Sequence, residues 1–201
     1  MEVKQPSAEV AQLLADFRKR GGVIDHVVMQ YVVMQAEGPS GTVYDLHKEA
    51  AVLTLEAVAE EWAASGWPLA LRMHPELAQG RRITATEFLG PYFDQEKRSL
   101  IMPDSKSSTG DLDNFITHGY ADAFSDPPHS LHGALDELNA LFHAMNEALF
   151  GGLDVTSDIY QWSVDWCNYF DAGREWWGAF LWTVHDADQN TFVGVAASTT
   201  D

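Results

Sequence analysis

The sequence predicts an α+β protein, in which helices dominate the first two thirds and a small antiparallel β-sheet with a C-terminal β-hairpin forms the rest. Two observations predict this class. Apolar residues recur at helical spacing in long stretches before residue 150, and aromatic and β-branched residues concentrate after residue 158. Because no linker or repeat divides the chain, we predict one α+β domain over 1–201, mainly helical over 1–150 and β-rich over 158–201.

The first 35 residues are predicted to form two helices. Ser7 is a typical N-terminal cap, and apolar residues follow it at helical spacing until Gly21 and Gly22 end the first helix. Residues 23–35 are rich in valine, which favours a strand. Their polar residues do not alternate with apolar ones as in a half-exposed strand, and we therefore predict a second helix.

A long helix is predicted between residues 42 and 65. Thr42 and Asp45 have the spacing of a capping box, in which each side chain accepts the backbone N–H of the other residue. Gly66 and Pro68 end this helix. Its apolar side carries Ala51, Leu55, Val58 and Trp62, and its wetter side carries Glu49, Glu56, Glu60 and Glu61.

Another long helix is predicted from Pro127 and Pro128 to Phe150, where two glycines end it. Its apolar side steps by three or four residues through Leu131, Leu135, Leu138, Phe142, Met145 and Leu149. Residues 104–128 are rich in serine, glycine and proline, which predicts a long turn-rich loop. A short strand is predicted at 99–102.

The last fifty residues predict the sheet. Residues 176–184 and 191–197 have the composition of strands, and the polar run 186–190 between them is typical of a hairpin turn. Residues 159–166 are predicted to add a third strand. Five of the seven tryptophans lie in this part of the chain, which indicates that large rings pack against the sheet.

The charge of the chain is strongly negative and unevenly distributed. The formal net charge is −18, and residues 101–201 contain Lys106 and Arg174 as their only basic residues against sixteen acidic ones. Such a surface repels phosphates and anionic lipid headgroups. We therefore predict no nucleic-acid partner and no membrane partner, and a basic protein as the favoured partner.

The predicted location is the cytoplasm. Cys167 is the only cysteine, so no internal disulfide can form. The N-terminal residues lack the apolar core of a signal peptide, and no apolar run approaches the roughly 20 residues of a membrane span. The composition leaves the oligomeric state open.

One possible catalytic site combines residues of the loop at 118–129 with the start of the following helix. His118, Asp122, His129 and His132 lie close together in sequence. Histidine and aspartate are the residues that move protons at neutral pH in hydrolases. The chain contains no G-x-S-x-G motif and no glycine-rich phosphate loop. The lack of a complete catalytic motif favours a binding protein over an enzyme.

Two patterns suggest a metal ion, and neither is complete. His132, Asp136, Asn139 and His143 form a polar strip on the second long helix, but its two histidines are about 16 Å apart along the axis. Residues 186–190 begin like a calcium loop and then lack its glycine and its bidentate glutamate. The sequence therefore predicts no metal and no cofactor.

Carboxylates alternate with aromatic residues between positions 158 and 177. Exposed aromatic rings surrounded by carboxylates are typical binding positions for a basic protein. The residues predicted to contact such a partner are Asp158, Asp165, Asp171, Glu175, Trp176 and Trp177.

The favoured hypothesis is an acidic cytoplasmic interaction domain that binds a basic protein. One role that fits this hypothesis is that of an immunity-type inhibitor. In charge and size the chain is similar to bacterial immunity proteins, which neutralise basic nuclease toxins, although no motif assigns it to such a family. Two alternatives stay open: a hydrolase-like enzyme using the region His118–His132, and a small-ligand-binding domain with a tryptophan-lined pocket.

Overall fold

The centre of the structure is a six-stranded antiparallel sheet with helices on both faces. The structure is a computed structural model, and it describes residues 1–21, 29–36, 41–66, 70–101, 119–125, 127, 131–152 and 158–198. The described part of the chain forms eight strands: β1 (Glu2–Val3), β2 (Met29–Gln35), β3 (Gly80–Ile83), β4 (Phe93–Asp94), β5 (Ser99–Leu100), β6 (Asp158–Trp162), β7 (Phe180–Asp186) and β8 (Thr191–Ala197). The large sheet has the order β1-β2-β8-β7-β6-β3, and β4 and β5 form a separate hairpin.

Six described helices surround the sheet. They are α1 (Ala8–Arg20), α2 (Val43–Ala64), α3 (Ala85–Leu89), α4 (Tyr120–Ser125), α5 (Leu135–Phe150) and α6 (Gly173–Trp176). Helix α2 covers one face and, with the segment after β6, encloses a set of buried residues that we call the α2 core. Helices α1, α3, α4 and α5 enclose the other set, the α5 core. None of the described helices combines the length and apolar composition that crossing a membrane requires.

Aromatic rings fill the α5 core. Tyr120 is fully buried and stacks on Phe88, with 4.8 Å between the ring centres. Its hydroxyl lies 3.0 Å from the Tyr31 hydroxyl, which in turn donates to the Met29 sulfur. Burial raises the pKa of both tyrosines, so both remain neutral hydrogen-bonding groups. This pair connects α4 to strand β2 through the core.

The α2 core depends on a very close approach between α2 and β8. A Cβ atom at Gly194 would lie 1.7 Å from the Thr54 Oγ1 atom and 2.8 Å from its Cβ. The Thr54 hydroxyl donates to the Ala50 carbonyl of the preceding helical turn at 2.7 Å, which fixes the orientation of the threonine side chain. Only glycine leaves room for a helix at this separation, because any other residue would place a carbon inside the threonine side chain.

Several predicted elements are confirmed. The α+β class is present, Ser7 caps α1, and both hydrogen bonds of the Thr42–Asp45 capping box are formed at α2. The C-terminal hairpin pairs β7 with β8, and the Asp186 carboxylate accepts the backbone N–H groups of Asp188 and Gln189 in its turn. That carboxylate therefore stabilises the turn, as Asp and Asn commonly do.

The helix predicted over 23–35 is wrong for its described part, since residues 29–35 form strand β2. Residues 22–28 lie outside the described residues. In β2, Val32 and Met34 point into the α2 core, and Met29 and Val33 point to the α5 core. A strand that is covered on both faces shows no alternation of polar and apolar residues. The lack of alternation, on which the helix prediction was based, therefore does not distinguish a helix from such a strand.

Three further boundaries differ from the prediction. Helix α5 begins at Leu135 and not at residue 127, because the chain at His132 runs beside α1 and donates to the Arg20 carbonyl. Leu135 is consequently 46% exposed. Residues 120–125, predicted as loop, form the buried helix α4. Strand β7 begins at Phe180, and Trp176 belongs to α6.

We expect Gly194→Ala to lower the free energy of unfolding by about 2 kcal/mol or more, because overpacking displaces α2 from β8. Gly21→Ala is the matched control: its φ is −64° and its nearest neighbour to a new Cβ is 3.4 Å away. Urea denaturation of both variants checks this. Equal stability of the two variants would contradict the proposed close approach.

Candidate functional site

The connection between β6 and β7 places a group of carboxylates at one end of the sheet. Because β6 ends at Trp162 and β7 begins at Phe180, the connection 163–179 starts and finishes at this end, opposite the β7–β8 turn. The C-terminal turns of α2 reach the same end. We call Glu60, Glu61, Asp165, Asp171 and Glu175 the acidic end; all five are exposed.

Contacts between α2 and the segment after β6 join the two halves of the acidic end. The Trp62 ring centre lies 5.5 Å from that of Tyr169, and Trp62 is only partly buried. The charge of Glu61 acts on the Tyr169 hydroxyl, and the charge of Asp171 acts on the Cys167 thiol. Trp62 and Glu61 of α2 therefore meet a segment that lies about a hundred residues later in the sequence and that carries Asp171.

The carboxylates on α2 oppose the dipole of their own helix. A helix C-terminus carries partial negative charge, and basic residues in the last turn normally stabilise it. The last turn of α2 contains no basic residue, and Glu60 and Glu61 lie close to its end. Glu61 is ion-paired with Arg18 at 2.7 Å, whereas Glu60 has no ion-pair partner among the described residues. This arrangement is locally unfavourable, as is frequent where a surface serves a function.

Basic side chains at this end are few. Arg18 is occupied by Glu61, and Arg72 and Arg174 are exposed. The Arg72 backbone N–H donates to the Asn168 side chain, which ties the strand-like segment at 72–73 to the β6–β7 connection. The acidic end thus keeps an excess of negative charge in its described part.

Two titratable groups lie beneath this surface. Burial raises the pKa of the Tyr169 hydroxyl, which is buried without a hydrogen-bond partner among the described residues, and the nearby Cys167 and Glu61 raise it further. Burial also raises the pKa of the Cys167 thiol, and the charge of Asp171 adds to this effect. Cys167 is 3% exposed and is therefore a packing residue and not a nucleophile.

The structure separates the predicted partner-binding residues. Asp165, Asp171 and Glu175 are exposed at the acidic end. Asp158 begins β6, about 13 Å away along the strand, and forms an ion pair with Arg82. Trp177 is partly buried and packs against Phe180 in the α5 core.

Trp176 is the last residue of α6, and its side chain lies outside the described part of the structure.

The possible catalytic residues are only partly described. His118 and His129 lie outside the described residues. Asp122 is 7% exposed on α4, surrounded by the α5 core, and His132 is exposed on the chain before α5. In the part of the chain that the structure describes, no three His, Cys, Asp or Glu side chains are grouped to hold a metal ion.

The polar strip on α5 serves to hold the β4–β5 hairpin. The Asn139 side chain accepts the Leu100 backbone N–H at 2.7 Å, and His143 Nε2 donates to the Arg98 carbonyl at 2.7 Å. The Phe93 ring packs on Phe142 beside them. Two members of the strip are therefore used for internal contacts.

The tryptophans predicted as a possible ligand pocket are used in packing. Trp162, Trp166 and Trp182 are each at most 3% exposed. An apolar cavity lies elsewhere, between Phe88, Phe150 and Val184, and its volume of about 10 Å³ accommodates little more than one water molecule.

Sequence reasoning missed the α2 part of the site. Glu60 and Glu61 were assigned to the wet side of a helix, and Trp62 was assigned to its apolar side. The available signal was the position of two adjacent carboxylates in the last turns of a helix that has no basic residue there.

Comparison with protein-family models, with curated proteins and with solved structures gave no match. The function is therefore inferred from the geometry and charge of the chain itself.

We expect His143→Ala to lower the free energy of unfolding by about 1 kcal/mol, because it removes one hydrogen bond to the hairpin. His132→Ala, which changes an exposed histidine, is the matched control and should leave stability within about 0.5 kcal/mol of the parent. Thermal denaturation measures both changes. A larger loss in the His132 variant would refute the structural role of the strip.

Proposed function

We propose that this protein is an acidic interaction domain that binds a basic protein through the acidic end. The observation that supports the proposal is that the exposed carboxylates of the β6–β7 connection and those of the last turns of α2 belong to two elements joined by the Trp62–Tyr169 contact, and that the two on α2 oppose the dipole of their helix. A cationic partner would relieve the repulsion among these groups and the unfavourable interaction with the helix end.

Trp62 and the carboxylates have complementary roles in this proposal. A lysine or arginine of the partner pairs with the carboxylates, and its aliphatic part or its guanidinium covers the indole face. Loss of water around a central aromatic ring supplies most of the affinity at such positions. Long-range attraction by the net charge of −18 accelerates the encounter and discriminates against acidic partners and nucleic acids.

An immunity-type inhibitor of a basic enzyme is the role that we favour within this class. Tight, salt-sensitive association with a basic enzyme requires a rigid acidic surface, and the helix and strands beneath the acidic end provide one. We place this activity in the cytoplasm, where the buried, unpaired Cys167 stays reduced.

We expect the triple variant Asp165→Lys, Asp171→Lys and Glu175→Lys to lose at least tenfold in affinity for a basic protein, chiefly through slower association. The control triple variant, Glu96→Lys, Glu147→Lys and Asp188→Lys, makes the same change of net charge at exposed positions elsewhere. Proteins retained from lysate of the native cell are identified by mass spectrometry for the parent and both variants, at low and high salt.

The supporting result is one basic protein that the parent and the control variant retain at low salt and that the first variant loses. Inhibition of an enzymatic activity of that protein by the parent then distinguishes an inhibitor from an adaptor. Equal retention of the basic protein by both triple variants would contradict the proposal that the acidic end is the binding surface. If a Trp62→Ala variant binds the basic protein as tightly as the parent does, Trp62 does not contribute to binding.

A further inference from the structure

A histidine lies at the centre of the contact between α2 and the sheet. His47 is fully buried, and its ring lies 4.4 Å from the Tyr160 ring centre and 5.0 Å from that of Phe192. In sequence it is one helical step before Ala51 on the apolar side of α2. A buried histidine at such a position needs hydrogen bonds for its two ring nitrogens.

Among the described residues, only one of these nitrogens has a hydrogen-bond partner. Thr183 Oγ1 accepts the indole N–H of Trp162 at 2.9 Å and lies 2.8 Å from His47 Nδ1. His47 Nε2 is buried without a hydrogen-bond partner among the described residues, and the same holds for His185 Nε2 on the neighbouring ring. The two rings meet edge to face, with their centres 6.2 Å apart.

The titratable groups that face His47 come from three strands. His185 faces it from β7, Tyr160 from β6 and Arg82 from β3. Asp158 of β6 forms an ion pair with Arg82. Burial first, and then the charges of His185 and Arg82, lower the pKa of His47 from 6.5 to about 3.

We propose that His47 is an acid-operated latch, whose protonation releases the N-terminal half of α2 from strands β6 and β7. In the closed contact no described residue accepts a second ring proton, whereas the open contact lets water solvate the imidazolium. The C-terminal half of α2 has its own attachments, namely the Thr54–Gly194 contact and the Arg18–Glu61 ion pair. The release is therefore confined to the part of α2 around His47.

The direction of the effect follows from the two states. In the closed state His47 remains neutral until about pH 3, and in the open state it takes up a proton near its ordinary pKa of 6.5. Protons therefore favour the open state between these values, so the contact is fully stabilised above pH 6.5 and weakens as the pH falls. Between pH 7 and pH 5 the opening equilibrium shifts by about 25-fold towards the open state.

Hydrogen exchange of the full chain tests the latch. Backbone amides of residues 43–52 and of α5 are compared at pH 7 and pH 5, after correction for the intrinsic effect of pH on exchange. We expect the protection of residues 43–52 to fall by about 25-fold, whereas that of α5 stays unchanged. Unchanged protection of residues 43–52, or an equal loss in α5, would overturn the proposal.

His47→Gln provides the variant test, because glutamine keeps a polar group near Thr183 and does not titrate. We expect its residues 43–52 to exchange with the same protection factor at both pH values, and the control His132→Gln to behave like the parent. Persistence of the pH effect in His47→Gln would overturn the assignment to His47. Should that variant fail to fold, an NMR titration of the parent decides: His47 must remain neutral in the closed state at pH 5, and a protonated ring there contradicts the latch.

Discussion

The absence of a side chain at Gly194 sets the distance between α2 and the sheet. It lets α2 approach β8 closely enough for Thr54 to occupy the space of the missing carbon. With α2 in this position, the fully buried Ala50, Ala51 and Leu55 close the α2 core. Because helices cover both faces, the central strands are buried on both sides, and charged residues lie on the helix surfaces, on the edge strands and at the two ends of the sheet.

This distribution explains where the chemistry of the molecule lies. A chain with a net charge of −18 must distribute carboxylates over a limited surface, and the ends of the sheet are where connections and helix termini meet. At the end with the β7–β8 turn, carboxylates are used internally: Asp186 stabilises the turn and Asp158 pairs with Arg82. At the opposite end, four of the five carboxylates have no such ion pair among the described residues, which is the physical basis for proposing a partner there.

Helix α2 links the two proposals. Its C-terminal turns carry Glu60, Glu61 and Trp62 to the acidic end, and its N-terminal half places His47 against β6 and β7. The same helix is thus stabilised by tight apolar packing in its middle and carries an unfavourable charge arrangement at one end and an unsatisfied ring nitrogen near the other. The middle of α2 therefore contributes stability, and its two ends carry the groups on which the proposals rest. The unfavourable charges and the unbonded nitrogen are tolerated because the contacts between them are strong.

The features that could be predicted from the sequence are those that short-range interactions control. The capping box at Thr42, the cap at Ser7 and the turn at Asp186 depend on residues within three positions of one another, and all three are formed as predicted. Only the tertiary structure decided that residues 29–35 are a strand, that α5 begins at Leu135, and that Glu61 and Trp62 meet the segment around Tyr169. These outcomes depend on burial from both faces and on contacts between residues far apart in sequence, which no local pattern records.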